Sequence, residues 1–233
     1  MGRRAPIPIL PAPLLLAALL LAPAEAATLE QVLQAMDAAS AAFQSLTARI
    51  RIVKHTEIVK DETVDEGTIW VKRVKPRLSR LLIEFSAPDR YYLTVTDKKA
   101  EVYRPKIGTV EEYDVSRFRE LANQFWLLSF GTAGSDLTAR YQVQWKAPEA
   151  VAGQPAVRLE LIPKSPEMLQ HVPRIEMWIS TAHWQPLQQK FYEITPGDFR
   201  LYTYTEVKLL PLLPDSRVRL QLPSGVKRIQ PQR

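Results

Sequence analysis

Apolar and polar residues alternate along most of the chain after Ala48, and this period of two is the feature that most constrains the fold. Ile50 and Ile52 alternate with arginines, and Ile69 and Val71 alternate with polar or amphipathic neighbours. Successive side chains of a strand point to opposite faces of its sheet, so each such segment predicts a strand with one buried face. Further segments of this kind lie at 80–85, 92–96, 141–145, 157–161, 175–179, 185–194 and 200–209.

Turn-forming residues separate the strand segments, as at Lys60-Asp61-Glu62 and Asp97-Lys98-Lys99. Consecutive strands joined by short turns predict an antiparallel meander of about ten or eleven strands, against two or three helices. A sheet this large with one apolar face must curl or be covered. We therefore expect a mainly β (α+β) fold, a single curved, incomplete antiparallel β-barrel with helices as a lid over an apolar cavity.

Three segments show helical patterns. The first begins at Thr28–Gln31, a capping box in which the Thr hydroxyl and the Gln side chain satisfy free backbone N–H groups, and it runs for about four turns. The second places apolar residues at helical spacing over 118–128, with Ser116 able to cap its start and Gly131 able to end it. A single helical turn is expected at Ser165–Glu167, where Pro166 occupies the first position.

The N-terminus has the three parts of a secretory signal. Arg3 and Arg4 supply positive charge, Leu14 to Ala22 is an apolar run, and Ala24-Glu25-Ala26 has the small-x-small form of a cleavage site. The run is too short to span a bilayer. We expect residues 1–26 to be a cleaved signal peptide and residues 27–233 to form one exported domain.

The composition excludes several kinds of chemistry. The chain has no cysteine, so it forms neither disulfides nor cysteine–zinc sites, and it has no thiol nucleophile. Its formal net charge of +6 indicates anionic membranes or acidic proteins as partners. An exported protein does not normally meet nucleic acid, so we expect no nucleic-acid partner.

No catalytic or metal-binding motif is apparent. His55, His171 and His183 are far apart in the sequence, and no two have the spacing of metal ligands. The chain lacks a Gly-x-Ser-x-Gly elbow and a glycine-rich phosphate loop. No enzyme or metal signal therefore rises above background, and an enzyme of unrecognised type, with two titratable groups meeting in a cleft, stays open as an alternative.

A basic run stands out in the second strand and the turn after it. It comprises Lys72, Arg73, Lys75, Arg77 and Arg80. The run has two interpretations: charges that block edge-to-edge aggregation of strands, or a docking face for an acidic partner. Arg73 shares the inner face of Ile69 and Val71, so its guanidinium must either find acceptors, such as helix-end carbonyls, or extend to solvent.

The order of several short motifs resembles the LolA family, the periplasmic carriers that move lipoproteins to the outer membrane. Gly67–Arg73 resembles the glycine, strand and W-V-K-R-P segment of that family. Ser86-Ala87-Pro88, Val95–Lys99 and Leu222–Val226 resemble three further family segments in the same order. Two positions depart from the pattern: the proline expected after Arg73 is displaced to Pro76, and Lys98 replaces a turn glycine.

This resemblance implies a function and a set of partners. It implies a carrier, with no enzymatic activity and no cofactor, that binds the acyl chains of lipoproteins in an apolar cavity. Such a carrier ferries them across the periplasm from the inner to the outer membrane. Its partners would be acylated lipoprotein cargo, an inner-membrane transporter of the LolCDE type and a LolB-like outer-membrane acceptor, and the carrier itself would be a monomer. RseB-like and LppX-like proteins share this scaffold, so a carrier or sensor of other lipids or glycolipids stays open.

The resemblance also assigns site residues. Arg73 matches the arginine that holds the lid in the family. Strand parity supplies the candidate walls of the acyl-chain cavity, although each of these residues has the plain core as its alternative role. The cavity candidates are Ile50, Ile52, Ile69, Val71, Leu81, Ile83, Phe85, Leu93 and Val95, with Leu121, Phe125 and Leu128 from the lid.

Overall fold

The computed structural model describes residues 28–76, 78–96, 99–114, 128 and 130–231. The expected signal peptide and most of the second expected helix, including Leu121 and Phe125, lie outside these residues. The same holds for Arg77 of the basic run and Lys98 of the predicted turn.

Twelve strands in the described part of the chain form one sheet, in the spatial order β12-β6-β5-β4-β3-β2-β1-β11-β10-β9-β8-β7. The first six are β1 (Ser45–Thr56), β2 (Asp61–Lys75), β3 (Leu78–Ala87), β4 (Tyr91–Val95), β5 (Lys99–Arg104) and β6 (Thr109–Asp114). The other six are β7 (Tyr141–Val151), β8 (Gln154–Pro163), β9 (Arg174–Ser180), β10 (Pro186–Tyr192), β11 (Phe199–Leu210) and β12 (Lys227–Ile229). The sheet is curved and does not close, so the predicted mainly β fold with an incomplete antiparallel barrel is confirmed.

Three α-helices lie in the described residues: α1 (Leu29–Ala42), α2 (Gly134–Arg140) and α3 (Pro166–Leu169). The capping box predicted at the start of α1 is confirmed, since Thr28 accepts from the N–H of Gln31 while the Gln31 side chain accepts from the N–H of Thr28. The single turn predicted after Ser165 is α3, with the Ser165 hydroxyl as its cap.

Strand β12 and helix α2 were not predicted. Strand β12 has three residues, too few to show an alternation, and it pairs in parallel with β6, whereas the other neighbouring strands pair in antiparallel fashion. It raises the strand count above the predicted ten or eleven. Helix α2 has seven residues, about two turns, which is too short for a clear helical period.

The apolar residues of the inner face, the face that carries Ile69 and Val71, form two clusters. The first joins the helices α1, α2 and α3 to strands β7 to β10: Val32, Met36, Leu128, Leu137, Tyr141, Val157, Leu159, Leu161, Met168, Val172, Ile175, Met177, Ile179 and Phe191. The second packs mainly on β1, β2, β3 and β11: Phe43, Leu46, Ala48, Ile50, Ile69, Val71, Ile83, Phe85, Phe130 and Tyr204. Tyr202 packs against both clusters, so the two share one inner face.

Gly67 allows β2 and β3 to approach closely. A Cβ atom at this position would lie 2.2 Å from the carbonyl oxygen of Glu84, which is backbone and cannot rotate away. The register of the two strands shifts between Glu66 and Gly67, so an irregularity and the close approach coincide.

We expect Gly67→Ala to lower the free energy of unfolding by roughly 1–3 kcal/mol, because the new methyl group forces the two strands apart. Urea unfolding of the purified domain measures this. Thr63→Ala, at an exposed position of the same strand, is the control and is expected to cost less than about 1 kcal/mol. Equal effects of the two substitutions would contradict the close approach.

Candidate functional site

Arg73 carries a positive charge into the inner face of the sheet. It lies near the end of β2, where its backbone N–H donates to the carbonyl of Gln44 at 2.8 Å. Its Nη1 donates to the carbonyl of Ser40 and its Nη2 to the carbonyl of Gly131, both at 2.5 Å. The guanidinium also lies over the ring of Phe43, with its Cζ 5.2 Å from the ring centroid. One side chain thus joins β2 to the end of α1 and to the chain before α2.

The acceptors of Arg73 are available for identifiable reasons. Ser40 lies in the last turn of α1, where carbonyls lack a partner within the helix and the helix dipole is negative. Gly131 has φ of +77°, and a Cβ there would lie 2.4 Å from Phe43 Cδ1 and 2.7 Å from Arg73 Nη2. The Ser40 hydroxyl also donates to the Gly131 carbonyl at 2.6 Å. Only glycine fits this position without moving its neighbours.

Three buried side chains extend these contacts across the sheet. The N–H of Gly131 donates to Gln185 Oε1 at 2.6 Å, and Gln189 Nε2 donates to the carbonyl of Leu128. The hydroxyl of Tyr204 donates to Gln189 Oε1 at 3.1 Å. Gln185, Gln189 and Tyr204 are only 2%, 3% and 7% exposed. We call the whole set the Arg73 network: Ser40, Arg73, Leu128, Gly131, Gln185, Gln189 and Tyr204.

The electrostatics of the network keep its donors and acceptors fixed. Burial lowers the pKa of the Arg73 guanidinium, and the negative charge of Asp136 in α2 raises it again in part. A guanidinium stays charged in proteins, so Arg73 always donates. Burial raises the pKa of the Tyr204 hydroxyl far above its usual value, which keeps it neutral and able to donate. The Arg73 Nε is buried without a hydrogen-bond partner among the described residues.

The structure places most of the sequence-predicted cavity residues in one region. In the second apolar cluster, Ile50, Ile69, Val71, Ile83 and Phe85 are buried, and Ile52, Leu81 and Leu93 pack against it partly exposed. Val95 lies opposite Leu81 in the register and is partly exposed, while Leu128 belongs to the first cluster. Leu121 and Phe125 lie outside the described residues. The Arg73 network lies where the two clusters meet, since Leu128 belongs to the first cluster and Phe130 to the second.

The sequence analysis did not identify the glutamines and Tyr204 as parts of the site. Gln189 shares a strand with the buried Phe191, two residues on, so a polar residue at an inward position was the available signal. Ser40 occupies the apolar stripe of α1, which is the same kind of signal. Gln185 stood at the start of the predicted strand 185–194, but β10 begins one residue later, at Pro186, so Gln185 lies outside the observed strand.

The histidines lie in separate settings. Hydrogen bonds to Glu57, and secondarily to Glu62, raise the pKa of His55, whereas burial lowers the pKa of His183. His171 is exposed before β9. The described residues contain no group of three or more histidine or acidic side chains placed to hold a metal ion. Within the same residues, no helix is long and apolar enough to cross a membrane.

Comparisons with known proteins bear on the fold. No protein-family model matches the chain, and no curated protein matches its sequence. An uncharacterised conserved protein from Thermus thermophilus is 11% identical, with a TM-score of 0.54 over 86% of this chain and 98% of its own. MucB is 16% identical, with a TM-score of 0.51 over 82% of this chain and 62% of its own. A LolA superfamily protein from Nitrosomonas europaea is 14% identical, with a TM-score of 0.41 over 84% of this chain and 99% of its own.

These similarities concern the fold. At identities this low, they assign neither a substrate nor a partner. The chain has a LolA-like fold, as the sequence resemblance implied.

We expect Gln189→Leu to lower the free energy of unfolding by about 2 kcal/mol or more, because it leaves the Leu128 carbonyl and the Tyr204 hydroxyl buried without their partner. Urea unfolding monitored by circular dichroism measures the change. Gln188→Leu is the matched control on the same strand, since Gln188 is less buried and accepts only a 3.4 Å bond from Thr203. A Gln189 variant as stable as the Gln188 variant would show that the network contributes little to stability.

Proposed function

We propose that this protein is a periplasmic carrier that shields the acyl chains of lipoproteins and ferries them from the inner to the outer membrane. In this proposal residues 1–26 are the signal peptide that directs export, and residues 27–233 are the carrier domain. The protein has no catalytic step and no cofactor. It receives cargo from a LolCDE-type transporter and passes it to a LolB-like acceptor.

One observation carries the proposal. A large curved sheet gathers two apolar clusters on one face, and a single charged side chain, Arg73, holds the chain segments that lie over that face by hydrogen bonds to their carbonyls. A permanent core has no need of a guanidinium, because replacing buried ionic groups by apolar ones is often neutral or stabilising. A site that must open and close does need contacts that water can replace.

The free energy of acyl-chain binding also favours a site that opens and closes. Each buried CH₂ contributes about 0.8 kcal/mol, so a chain of about fifteen carbons contributes roughly 12 kcal/mol. A carrier that captured all of this free energy would not release its load. Charge-assisted hydrogen bonds are worth about 1.5–3 kcal/mol each. The two short bonds of Arg73 therefore stabilise the empty state by an amount that opposes cargo binding and assists release.

The proposed opening separates named contacts. Cargo chains enter between the second apolar cluster and the segments that carry Ser40 and Gly131. The bonds from Arg73 to both carbonyls break, and water or cargo polar groups take their place. The cavity walls are then the inward residues of β1, β2, β3 and β4 that the sequence analysis identified, Ile50, Val71, Phe85 and Leu93 among them.

The nature of the cargo is tested by mass spectrometry of the protein exported to a bacterial periplasm and purified without detergent. Acylated protein N-termini bound to it support the lipoprotein carrier. Free phospholipid or glycolipid alone would contradict that cargo. It would favour the second candidate, a lipid carrier or sensor on the same scaffold, because an apolar face discriminates poorly among hydrocarbon chains.

We expect Arg73→Leu to bind a palmitoylated peptide at least about tenfold more tightly than the unsubstituted protein, and to pass it more slowly to acceptor vesicles. The reason is that the variant loses bonds that stabilise the empty state, and about 1.4 kcal/mol is a tenfold change in affinity. Fluorescence titration measures the affinity, and a stopped-flow transfer assay measures the rate.

Arg80→Leu is the matched control for this substitution. It removes the same side chain from β3 at the position that pairs with Lys72, on the opposite face from Arg73. Thermal unfolding of both variants verifies that they fold. If Arg73→Leu changed neither uptake nor transfer relative to Arg80→Leu, the proposed role of Arg73 would be wrong.

A further inference from the structure

A concave site lies on the outer face of the sheet, opposite the two apolar clusters of the inner face. It is a cleft of about 620 Å³ between strands β2 to β5 and the chain that follows β11. Trp70, Leu82 and Glu84 alternate with the buried Ile69, Val71 and Ile83, so they point away from the inner face. Of its thirteen lining residues, six are aromatic or basic: Trp70, Arg90, Tyr92, Tyr103, Arg217 and Arg219.

The strand side of the cleft is preorganised. The register pairs Trp70 with Leu82, Glu84 with Tyr92, and Tyr92 with Tyr103, so the strand side chains of the cleft form two neighbouring rows on one face. Arg90 Nη2 lies 2.7 Å from Glu84 Oε1, and the hydroxyl of Tyr92 donates to the same oxygen at 3.2 Å. The rings of Tyr92 and Tyr103 stack, with their centroids 5.9 Å apart. These contacts hold the aromatic rings in place before any ligand arrives.

The C-terminal side of the cleft is held against the sheet by two contacts. Asp215 accepts from Lys72 Nζ at 2.5 Å, and Val218 is buried. Between these anchors, Arg217 is exposed and its guanidinium lies over the ring of Trp70, with its Cζ 6.0 Å from the centroid. Arg219 is also exposed, and its Nη2 lies 3.5 Å from Asp215 Oδ2, so one carboxylate faces both Lys72 and Arg219. The cleft is therefore a formed site, with two arginines along its C-terminal side.

The composition of the cleft is that of a protein-binding site. Six of its thirteen lining residues are tryptophan, tyrosine or arginine, the three types that dominate the binding energy of protein interfaces. Three arginines against one glutamate give the lining a net positive charge. Lys72 and Arg80 pair across β2 and β3 beside the cleft, and Asp215 offsets only one of these two charges, so the surroundings of the cleft are also net positive. A ligand that complements this surface carries negative charge together with apolar or aromatic side chains.

We propose that this outer cleft binds an extended, acidic segment of a partner protein. The rings of Trp70, Tyr92 and Tyr103 contact apolar or aromatic side chains of the segment. Arg217 and Arg219 pair with its carboxylates. A lipid headgroup offers phosphate but nothing for three rings and Leu82 to bury, so the lining favours a peptide. The site is separate from the proposed cargo site because it lies on the other face of the sheet, and cargo can be bound while the cleft is occupied.

The experiment uses an array of twelve-residue peptides that vary in Asp and Glu content and in aromatic and proline content, with matched sets in which Gln or Lys replaces every acid. Labelled protein is expected to select acidic peptides that contain aromatic residues over their Gln and Lys counterparts. Binding of the best peptide, measured by fluorescence polarisation, is expected to weaken as salt rises, because salt screens exposed charges.

Two variants locate the binding. The affinity for the best peptide is expected to fall by about tenfold or more in the double variant Arg217→Glu/Arg219→Glu, and separately in Trp70→Ala. Lys54→Glu/Lys208→Glu is the control, since it makes the same change of net charge at exposed positions that do not line the cleft. Binding of the palmitoylated peptide is expected to be unchanged in the two cleft variants, which separates this site from the cargo site.

Three results would overturn the proposal. The first is no preference for acidic peptides in the array. The second is an equal loss of binding in the cleft variants and the lysine control. The third is a preference for phosphatidylglycerol vesicles over peptides that disappears with Arg217→Glu/Arg219→Glu, which would make the cleft a headgroup site.

Discussion

The position of one guanidinium organises the inner face of this protein. Arg73 stands at the end of an apolar row on β2, and its charge must be satisfied there or pay a large desolvation cost. The acceptors that satisfy it are the carbonyls of Ser40 and Gly131, which come from the end of α1 and from the chain before α2. Because both acceptors are backbone atoms, the requirement fixes the path of the chain across the sheet as well as the position of side chains.

The other hydrogen bonds of the network link the same chain segment to β10 and β11. Gln185 and Gln189 bind the backbone of Gly131 and Leu128 from the side of β10, so the segment over the sheet is held from two directions. Apolar packing alone is tolerant of small displacements, whereas hydrogen bonds are directional. The inner face thus combines a large non-specific attraction for hydrocarbon with a small set of directional contacts that define the closed arrangement, which is the combination that reversible binding requires.

Period-two alternation predicted the curved sheet and the inward position of Arg73, because both depend on residues close together in the sequence. The alternation could not predict which atoms accept the hydrogen bonds of Arg73. Gly131 lies 58 residues away in the sequence and comes close to Arg73 only in the folded chain. The same limit applies to Gln185, whose partner depends on how β10 meets the segment before α2. Strand β12 was missed because its three residues pair with β6 through long-range contacts rather than a local pattern.

The most direct test of the central claim follows the backbone amide of Gly131 by nuclear magnetic resonance as a palmitoylated peptide is added. In the empty protein this N–H donates to Gln185, and the carbonyl of the same residue accepts from Arg73. If cargo displaces the network, the Gly131 resonance shifts on binding and its protection from hydrogen exchange falls. If the peptide binds the inner face while the Gly131 resonance and its protection stay unchanged, cargo and the Arg73 network do not compete, and the account is contradicted.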